Sequence, residues 1–532
     1  MSLRTCCRDC SRGFFSCQLK KQSGNTNKRS CCWCTFVSIG ALVSICWIYL
    51  LIIFNDGYNL NAKLFYKFHK HLNYFMVMMT VSAMFASYCV LLLLFALVQV
   101  ALRVKLHLHW LHRILIFIGV ILIALVITVA LSLFPHDPWT VAPISFQYTG
   151  PFLQFGAVGA WTLLSWFIFQ AFHEAKKGSK WIIGLVFVIV SAFIFSCPLL
   201  IHSPCLIYLE DLENTTKPSL WGHRGAPMLA PENTMMSFER SATVCNVALF
   251  ETDVQLSKDG IPFLMHDNKS GFLNRTTNIT TLVESGKEWN FNKLRSLNAG
   301  EWFIKADPFH TVHLLKEEQK KKAKEEKIPK LSELLELAIK TEIPVMFDLY
   351  VRNNSNTEEV DKDAEDIVKT IQNSRIDSRL IYWLNSEKRK RPTNAANFTQ
   401  VYENEDEMHE ENGFRLNVKF SEFSMDKIRD LRKEGVKVNV YVVDRRWLFS
   451  LFWCAGVSSV TTNACHVLKE MEQPDWHMSP DVYRTTWISV DVASFLIMIA
   501  IFCYQWKKRC SYLNEGITSA SPSYELEISP LV

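Results

Sequence analysis

The stretch WGHRGAPMLAPENT, at residues 221–234, ends a short apolar run with His223 and Arg224 and continues into glycines and prolines. Gly222 and Gly225 flank this pair with the backbone freedom that a tight turn from a strand into a loop requires. We therefore interpret WGH as the end of a buried strand and PENT as the entrance to a helix.

Downstream of this turn, short β-branched and aromatic runs alternate with helical patterns. Helices are predicted from Asn233, in KLSELLELAIK, from about residue 359 and in SMDKIRDLRKEG, while the strand candidates read SLWGH, ALFETDVQL, PFLMHD, IPVMFDLY, LIYWL, FRLNV, VKVNVYVV and VSSVTTN. Alternation of this kind favours a parallel sheet with crossover helices, and eight candidates favour a closed TIM (β/α)8 barrel of the α/β class. The charged stretch at 316–327 is predicted to be a solvated helical insertion without a chemical role.

Polar side chains stand at the ends of four successive strand candidates. Glu251 and Asp253 are two residues apart, so they share one face of the second strand. The other polar strand ends are His223 with Arg224, His266 with Asp267, and Asp348. Buried charges are costly unless they are paired or bound to metal, so packing alone does not explain this pattern. In a TIM barrel, these strand ends are where reactive residues lie.

The residue types at these strand ends indicate a reaction. Clustered carboxylates repel each other unless a cation lies among them, so we assign Glu251, Asp253 and Asp348 as ligands of a hard divalent ion, Ca²⁺ or Mg²⁺. The two histidines suit general acid and base roles near neutral pH. Arg224 offers a planar fork for a phosphate oxygen. Together these groups suit attack on a phosphodiester.

Outside this region the chain is strongly apolar, and 49% of all residues are hydrophobic. Six apolar runs are long enough to cross a bilayer, at 33–54, 75–98, 114–134, 150–171, 181–201 and 487–506. The first run lacks a signal-peptide cleavage site, so we interpret it as a retained anchor. The predicted organisation is a Cys-rich tail at 1–32, five spans within 33–201, one soluble domain at 202–485, a sixth span at 486–506 and a tail at 507–532.

The distribution of Lys and Arg predicts the orientation in the membrane. The tail up to Arg29 holds seven, whereas the short loops on the opposite side hold only Lys63, Lys67 and Lys70. By the positive-inside rule, both termini are cytosolic and the 202–485 domain is extracellular or lumenal, with the plasma membrane as the expected location. All six glycosylation sequons fall in that domain, at Asn214, Asn268, Asn274, Asn278, Asn353 and Asn397. The net charge of +5 is small for 532 residues and argues against a nucleic-acid partner.

Two groups stand out among the sixteen cysteines. Seven crowd the cytosolic side of the first helix: Cys6, Cys7, Cys10, Cys17, Cys31, Cys32 and Cys34. Reversible acylation is the favoured interpretation, ahead of zinc binding or of thiols without a function. Four lie in the predicted oxidising compartment, where disulfides form but where the sequence leaves the pairing open: Cys205, Cys245, Cys454 and Cys465.

Four motifs carry a family resemblance. GHRGAPMLAPENT, ETDVQLSKDG, PFLMHD and IPKLSELLELA, in this order, resemble the glycerophosphodiester phosphodiesterase domain, and the five-plus-one helix arrangement resembles its six-pass membrane branch. The resemblance implies a TIM-barrel enzyme that splits a glycerophosphodiester or a related phospholipid head-group diester, with His223 and His266 as the acid/base pair. It places Arg224 and Glu232 on the phosphate side of the pocket. Glu232 has an alternative interpretation as a first-turn residue of the helix that PENT opens.

Two positions depart from the family pattern. The family has Glu-x-Lys where this chain has MFDLY, so Asp348 is one methylene shorter and Tyr350 replaces a cation. Further on, a Trp-Thr-Val-Asn-like stretch is YVVDRRW, with Asp444 in it, and the acidic residue expected after TT is Asn463. These departures leave an alternative open, a glycosylated domain that binds head groups or proteins without turnover. A transporter is disfavoured because the spans carry little charge, Asp491 being the exception.

Overall fold

The structure is a computed structural model that describes residues 29–58, 60–61, 64, 73–101, 108–133, 137–267, 288–349, 357–385 and 397–518. The chain divides into two units, Met1–Ser203 with Pro480–Val532, and Pro204–Ser479. Tyr350, four of the six sequons (Asn268, Asn274, Asn278, Asn353) and Cys6, Cys7, Cys10 and Cys17 lie outside the described residues.

The first unit consists of long apolar helices, and each of the six predicted runs coincides with one of them. They are α1 (Arg29–Tyr58), α2 (Tyr74–Ala101), α3 (Trp110–Leu133), α4 (Val141–Glu174), α5 (Lys177–Ser196) and a terminal helix (Pro480–Thr518). Among the described residues, five of these helices are long and apolar enough to cross a membrane, and α3 adds a further apolar segment at Trp110–Leu125. The first unit is therefore that of a multi-pass membrane protein, while the count of six spans stays a prediction.

Helices α1 to α3 share one apolar core. Trp47 and Leu51 of α1 pack with Leu92 of α2 and Ile116 of α3, all of them buried. On other faces of these helices, large side chains such as Leu42 and Leu125 are exposed. Exposed apolar surface of this extent suits contact with lipid.

The second unit is a barrel of parallel strands. Its strands are β1 (Ser219–His223), β2 (Leu249–Leu256), β3 (Pro262–Leu264), β4 (Val345–Leu349), β5 (Ile381–Asn385), β6 (Thr399–Tyr402), β7 (Arg415–Lys419), β8 (Lys437–Tyr441) and β9 (Ser459–Thr462). The order β1-β9-β8-β7-β6-β5-β4-β2 closes through a parallel β1–β2 pairing. This is the predicted (β/α)8 barrel.

One predicted barrel strand is not part of the closed ring. PFLMHD contains β3, which pairs antiparallel with β2 in the register Val254↔Leu264 and stands outside the ring of eight. The eighth barrel strand is instead β6, TQVY, which pairs parallel with both β5 and β7. With only four residues and two polar side chains at its start, β6 lacks the apolar run by which the other strands were recognised.

Short helices surround the barrel. They are α6 (Leu209–Glu213), α7 (Met235–Arg240), α8 (Phe291–Ser296), α9 (Glu301–Ala306), α10 (Glu317–Glu325), α11 (Leu331–Thr341), α12 (Thr357–Ser374), α13 (Glu405–Glu410), α14 (Met425–Lys433), α15 (Arg446–Ala455) and α16 (Cys465–Lys469). In α11 the buried residues Leu331, Leu334, Leu335 and Ala338 follow the helical period and form one apolar face. The predicted insertion at 316–327 is α10, which is helical and mostly solvated.

The barrel interior has an apolar layer with polar layers on either side. Trp221, Leu249, Met346, Leu384 and Val401, from five different strands, pack together in this layer. Because side chains alternate along a strand, residues two positions further on point the same way. His223, Glu251 and Asp348 therefore follow this layer on β1, β2 and β4, towards the carboxyl ends of the strands.

Two further features join distant parts of this unit. Cys245, after α7, forms a disulfide with Cys465 at the start of α16, which settles one pairing among the four predicted cysteines. Cys205 and Cys454 are buried thiols. The two ends of the unit also meet, because the amide of Ile207 donates to Met478 O at 2.9 Å and the amide of Met478 donates to Cys205 O at 3.0 Å.

Candidate active site

A tight turn after β1 carries His223 and Arg224 to the carboxyl end of the barrel. Arg224 has a φ of 53° and Gly225 a φ of 87°, both in the left-handed region. A Cβ at Gly225 would lie 2.5 Å from Ser237 Oγ, so glycine is required there. Ser237 Oγ donates to Arg224 O at 3.0 Å and accepts from the amide of Ala226 at 2.8 Å, which fixes the turn against α7.

Arg224 brings three of the predicted carboxylates together. Its Nη1 donates to Glu232 Oε1 at 3.1 Å, its Nε lies 3.0 Å from Asp253 Oδ2, and its amide donates to Glu251 Oε2 at 3.0 Å. The side chains of Arg224, Glu232 and Asp253 are at most 12% exposed. Glu232 precedes the N-cap of α7, Thr234, so its interpretation as a first-turn helix residue is wrong.

Glu251 and Asp253 form a buried pair of carboxylates. Asn233 holds Asp253 by donating to Oδ2 at 2.9 Å, and Thr252 Oγ1 donates to Asn233 Oδ1 at 2.8 Å. Burial raises the pKa of Glu251 well above its usual value, and the charges of Asp253 and, more weakly, Asp348 raise it further against the opposing effect of Arg224. Asp348 lies beside Asp253 in the register of β2 and β4.

The chemistry of this cluster fits a hard cation. Three carboxylates lie on neighbouring strands, and the charges of Asp253 and Asp348 add to burial, the larger cause, in raising the pKa of Glu251. A divalent ion with oxygen ligands would lessen the repulsion between these carboxylates. Within the described residues, however, no three His, Cys, Asp or Glu side chains converge as a ready ligand set, and Arg224 lies against Asp253. The assignment of Glu251, Asp253 and Asp348 as ligands therefore stays a prediction.

His223 is oriented by a chain of hydrogen bonds across β9. Its Nδ1 lies 2.7 Å from Asn463 Oδ1, and Asn463 donates from Nδ2 and from its amide to the two oxygens of Asp444, each at 2.7 Å. Because Asp444 accepts from the nitrogen of the amide group, the oxygen faces His223, and Nδ1 must be the protonated nitrogen. Nε2, 3.9 Å from Glu251 Oε2, is left as a proton acceptor.

The protonation states of His223 and Asp444 depend on their burial. Burial and, next, the charge of Arg224 lower the pKa of His223 to about 4. Burial raises the pKa of Asp444, while the hydrogen bonds from Asn463 and Thr462 lower it. From the sequence, Asp444 and Asn463 were identified only as departures from the family pattern. Their place in the site could have been inferred because both positions are polar in the family and both follow strands that end at this mouth.

His266 lies at the end of β3, next to the site end of β2. The amide of Met265 donates to Asp253 O at 3.0 Å, and Gln255 Nε2 donates to Met265 O at 2.7 Å and to Asp267 O at 2.9 Å. The His266 side chain is 32% exposed, its Nδ1 is 3.3 Å from Asp267 Oδ1, and residues 268–287 are outside the described part of the chain. The structure thus places both predicted histidines at the same mouth, with the His223 side chain 18% and the His266 side chain 32% exposed.

Comparison with known proteins gives an independent result. The Glycerophosphoryl diester phosphodiesterase family matches residues 223–467, which span β1 to α16. Glycerophosphoinositol inositolphosphodiesterase of Mus musculus is 36% identical over 505 residues, covering 93% of this chain and 92% of that protein. Glycerophosphodiester phosphodiesterase domain-containing protein 5 of Gallus gallus is 32% identical over 518 residues, covering 94% of this chain and 84% of that protein. Both alignments cover more than 90% of this chain, so they include the apolar helices as well as the barrel.

Proposed function

Because this chain belongs to the glycerophosphoryl diester phosphodiesterase family, we propose that it is a membrane-anchored enzyme that hydrolyses glycerophosphodiesters or related phospholipid head-group diesters. The observation that carries the proposal is His223, oriented by Asn463, beside the cluster of Arg224, Glu251 and Asp253. The name of the relative from Mus musculus refers to glycerophosphoinositol, which makes that diester the first substrate to test.

Arg224 binds the phosphate of the substrate. Its guanidinium is fixed by Glu232 and Asp253, so it is oriented before substrate arrives. A planar fork held in this way recognises phosphate oxygens and stabilises the charge that develops on them during attack. Glu232 acts through Arg224, since its contact with that side chain fixes the direction in which the fork points.

His223 and His266 transfer the protons. Nε2 of His223 accepts a proton from the attacking hydroxyl, and Nδ1–H remains bonded to Asn463. His266, which is more exposed, donates a proton to the departing oxygen. The attacking hydroxyl comes either from water or from the substrate itself, and the second route gives a cyclic phosphate.

Enzymes of this family generally depend on a divalent metal. Glu251, Asp253 and Asp348 would hold Ca²⁺ or Mg²⁺, which when bound supplies positive charge to the phosphate oxygens. Asn233 keeps Asp253 oriented through its 2.9 Å hydrogen bond, and this contact also limits how far that carboxylate can turn.

The location of the enzyme follows from the predicted topology. We propose that the barrel faces the outside of the cell at the plasma membrane, with both termini cytosolic. The two sequons that the structure describes, Asn214 and Asn397, are exposed and thus accessible to a glycosyltransferase.

The proposal is tested with the purified full-length protein, incubated with glycerophosphoinositol and glycerophosphocholine with and without Ca²⁺ or Mg²⁺. Identification of both products shows which P–O bond breaks and whether a cyclic phosphate forms. His223→Ala and His266→Ala should each lower kcat by about 10² to 10⁴, whereas the exposed His409→Ala on α13 should leave it unchanged. Absence of turnover by the folded parent would favour the alternative of a head-group receptor, which does not need an oriented histidine.

A further inference from the structure

The barrel has a cavity at the end opposite the candidate active site. It has a volume of about 370 Å³ and is lined by the first residues of several strands, including Ser219 of β1, Arg415 of β7, Lys437 of β8 and Ser459 of β9. In a parallel barrel these positions form the amino-terminal mouth, whereas catalytic residues occupy the carboxyl-terminal one. Volumes of this size suit small molecules. The family's known chemistry does not account for this cavity.

The cavity is strongly cationic. Arg415, Arg432 and Lys437 line it, and its lining contains neither Asp nor Glu. In the described part of the chain none of the three forms an ion pair, although Arg432 Nη2 donates to Asn214 O at 2.5 Å. Three uncompensated cations around one concave surface attract an anion.

Arg415 gives the strongest indication of a ligand. Its guanidinium lies over the ring of Tyr382, 5.1 Å from the centroid, and beside the ring of Phe414. Because Arg415 lines the cavity, its guanidinium is placed to pair with an anion there. The aromatic contacts hold the guanidinium in place before a ligand binds.

The remaining lining suits a hydroxylated molecule. Thr216, Ser219, Ser458 and Ser459 supply hydroxyl groups around the cavity. Trp221 and Tyr382, which meet edge to face at 6.0 Å, provide an apolar surface on one side. Phosphorylated sugars and polyols are bound by groups of these three kinds. Cations contact the phosphate, hydroxyls contact the polyol, and aromatic faces contact the carbon skeleton.

We propose that this amino-terminal cavity is a non-catalytic binding site for a phosphorylated polyol, with Arg415 and Lys437 on the phosphate. The ligand is either a soluble polyol phosphate or a membrane lipid whose head group is a phosphorylated polyol, since both present the same chemistry. The site is independent of the proposed reaction, because none of the predicted catalytic residues lines it.

The first test is protection from chemical modification. Full-length protein is treated with phenylglyoxal, with and without sorbitol 6-phosphate, and modified arginines are identified by mass spectrometry. We expect slower modification of Arg415 and Arg432, while Arg446, which is 50% exposed and begins α15 on the carboxyl side of β8, serves as the unprotected reference. Protection at Arg224 alone would place the compound in the active site and overturn the proposal.

The second test separates the two sites by substitution. Binding of sorbitol 6-phosphate, measured by calorimetry, should weaken about tenfold or more in Arg415→Gln and in the exposed Lys437→Gln. It should be unchanged in the matched control Arg446→Gln and in His223→Gln. Unchanged affinity for sorbitol 6-phosphate in both Lys437→Gln and Arg415→Gln contradicts the binding site, even if the protein is an active phosphodiesterase. A protein that binds sorbitol 6-phosphate but has no phosphodiesterase activity contradicts only the proposed function.

The source of the phosphate is decided by a third measurement. The protein is reconstituted into phosphatidylcholine vesicles with and without phosphatidylinositol 4-phosphate, and modification of Arg432 is measured again. Protection by the lipid identifies a head-group site, and protection by the soluble polyol phosphate alone identifies a soluble ligand. Protection by neither compound overturns the proposal.

Discussion

Asn463 controls the orientation and the charge of His223. It presents an uncharged oxygen to Nδ1 at 2.7 Å, in a position where the family resemblance implies an acidic residue. A neutral partner leaves burial and Arg224 as the dominant influences, and these lower the pKa of His223 to about 4. The His223 imidazole is therefore unprotonated over the whole physiological range.

Asn463→Asp should move the activity profile with pH. A carboxylate next to the imidazole favours the imidazolium form, so the pKa of His223 rises by about one unit or more. Since protonated His223 cannot act as the base, the acidic limb of kcat/KM shifts to higher pH. The pH dependence of kcat/KM is the measurement, with the exposed Asn412→Asp as control. An acidic limb that stays in place would mean that another group titrates in that range.

Asp348 provides the second test at this scale. If it shares a divalent ion with Glu251 and Asp253, Asp348→Asn removes a charge and weakens metal binding, whereas Asp348→Glu restores the family's longer side chain and keeps or improves it. A titration of thermal stability with Ca²⁺ or Mg²⁺ measures this without requiring activity. Equal metal affinity in the parent and in Asp348→Asn would exclude Asp348 as a ligand.

The sequence predicted the components of the site better than their contacts. His223, Arg224, Glu232, Glu251 and Asp253 lie together as expected, because each belongs to a strand end or turn whose local pattern is clear. The role of Asn463 could not be predicted, since it depends on contact with a residue 240 positions away. The pairing of Arg224 with Asp253 was missed as well, because a single sequence shows both charges but not which partner each one takes.

At the scale of elements, the barrel was predicted correctly and one of its strands was misassigned. β3 has the apolar composition of a buried strand but pairs antiparallel beside the ring. β6 has little apolar signal and is stabilised by pairing with β5 and β7 on both sides. Composition reports how buried a segment is, whereas membership of the ring depends on long-range pairing.

The disulfide between Cys245 and Cys465 ties the segment after α7 to α16, whose residues pack beside β1 and β9. It closes a loop with a sequence separation of 220 residues. Removal should lower the free energy of unfolding of the barrel by about 2–5 kcal/mol, because the unfolded chain regains conformational freedom. Thermal unfolding of Cys245→Ala/Cys465→Ala measures the loss, and Cys503→Ala in the terminal helix is the control. An unchanged midpoint of barrel unfolding would show that the disulfide is dispensable.

At the scale of the whole molecule, the testable property is topology. The exposed sequons at Asn214 and Asn397 should carry glycans if the barrel is extracellular or lumenal. Treatment with a deglycosidase should increase electrophoretic mobility, and Asn214→Gln/Asn397→Gln should reduce that change. A protein whose mobility is insensitive to the enzyme, and whose barrel resists protease added outside intact cells, would have the opposite orientation.

The meeting of the two ends of the barrel unit has a consequence for its history. Since Cys205 and Ile207 lie within hydrogen-bond distance of Met478, the polypeptide begins and completes the barrel at a single point. A sequence with that property can be acquired or lost as one piece without stretching the chain on either side of it. The catalytic unit of this protein can thus be exchanged as a whole domain. Exchange of such domains between membrane anchors would be one route by which a family diversifies its substrates.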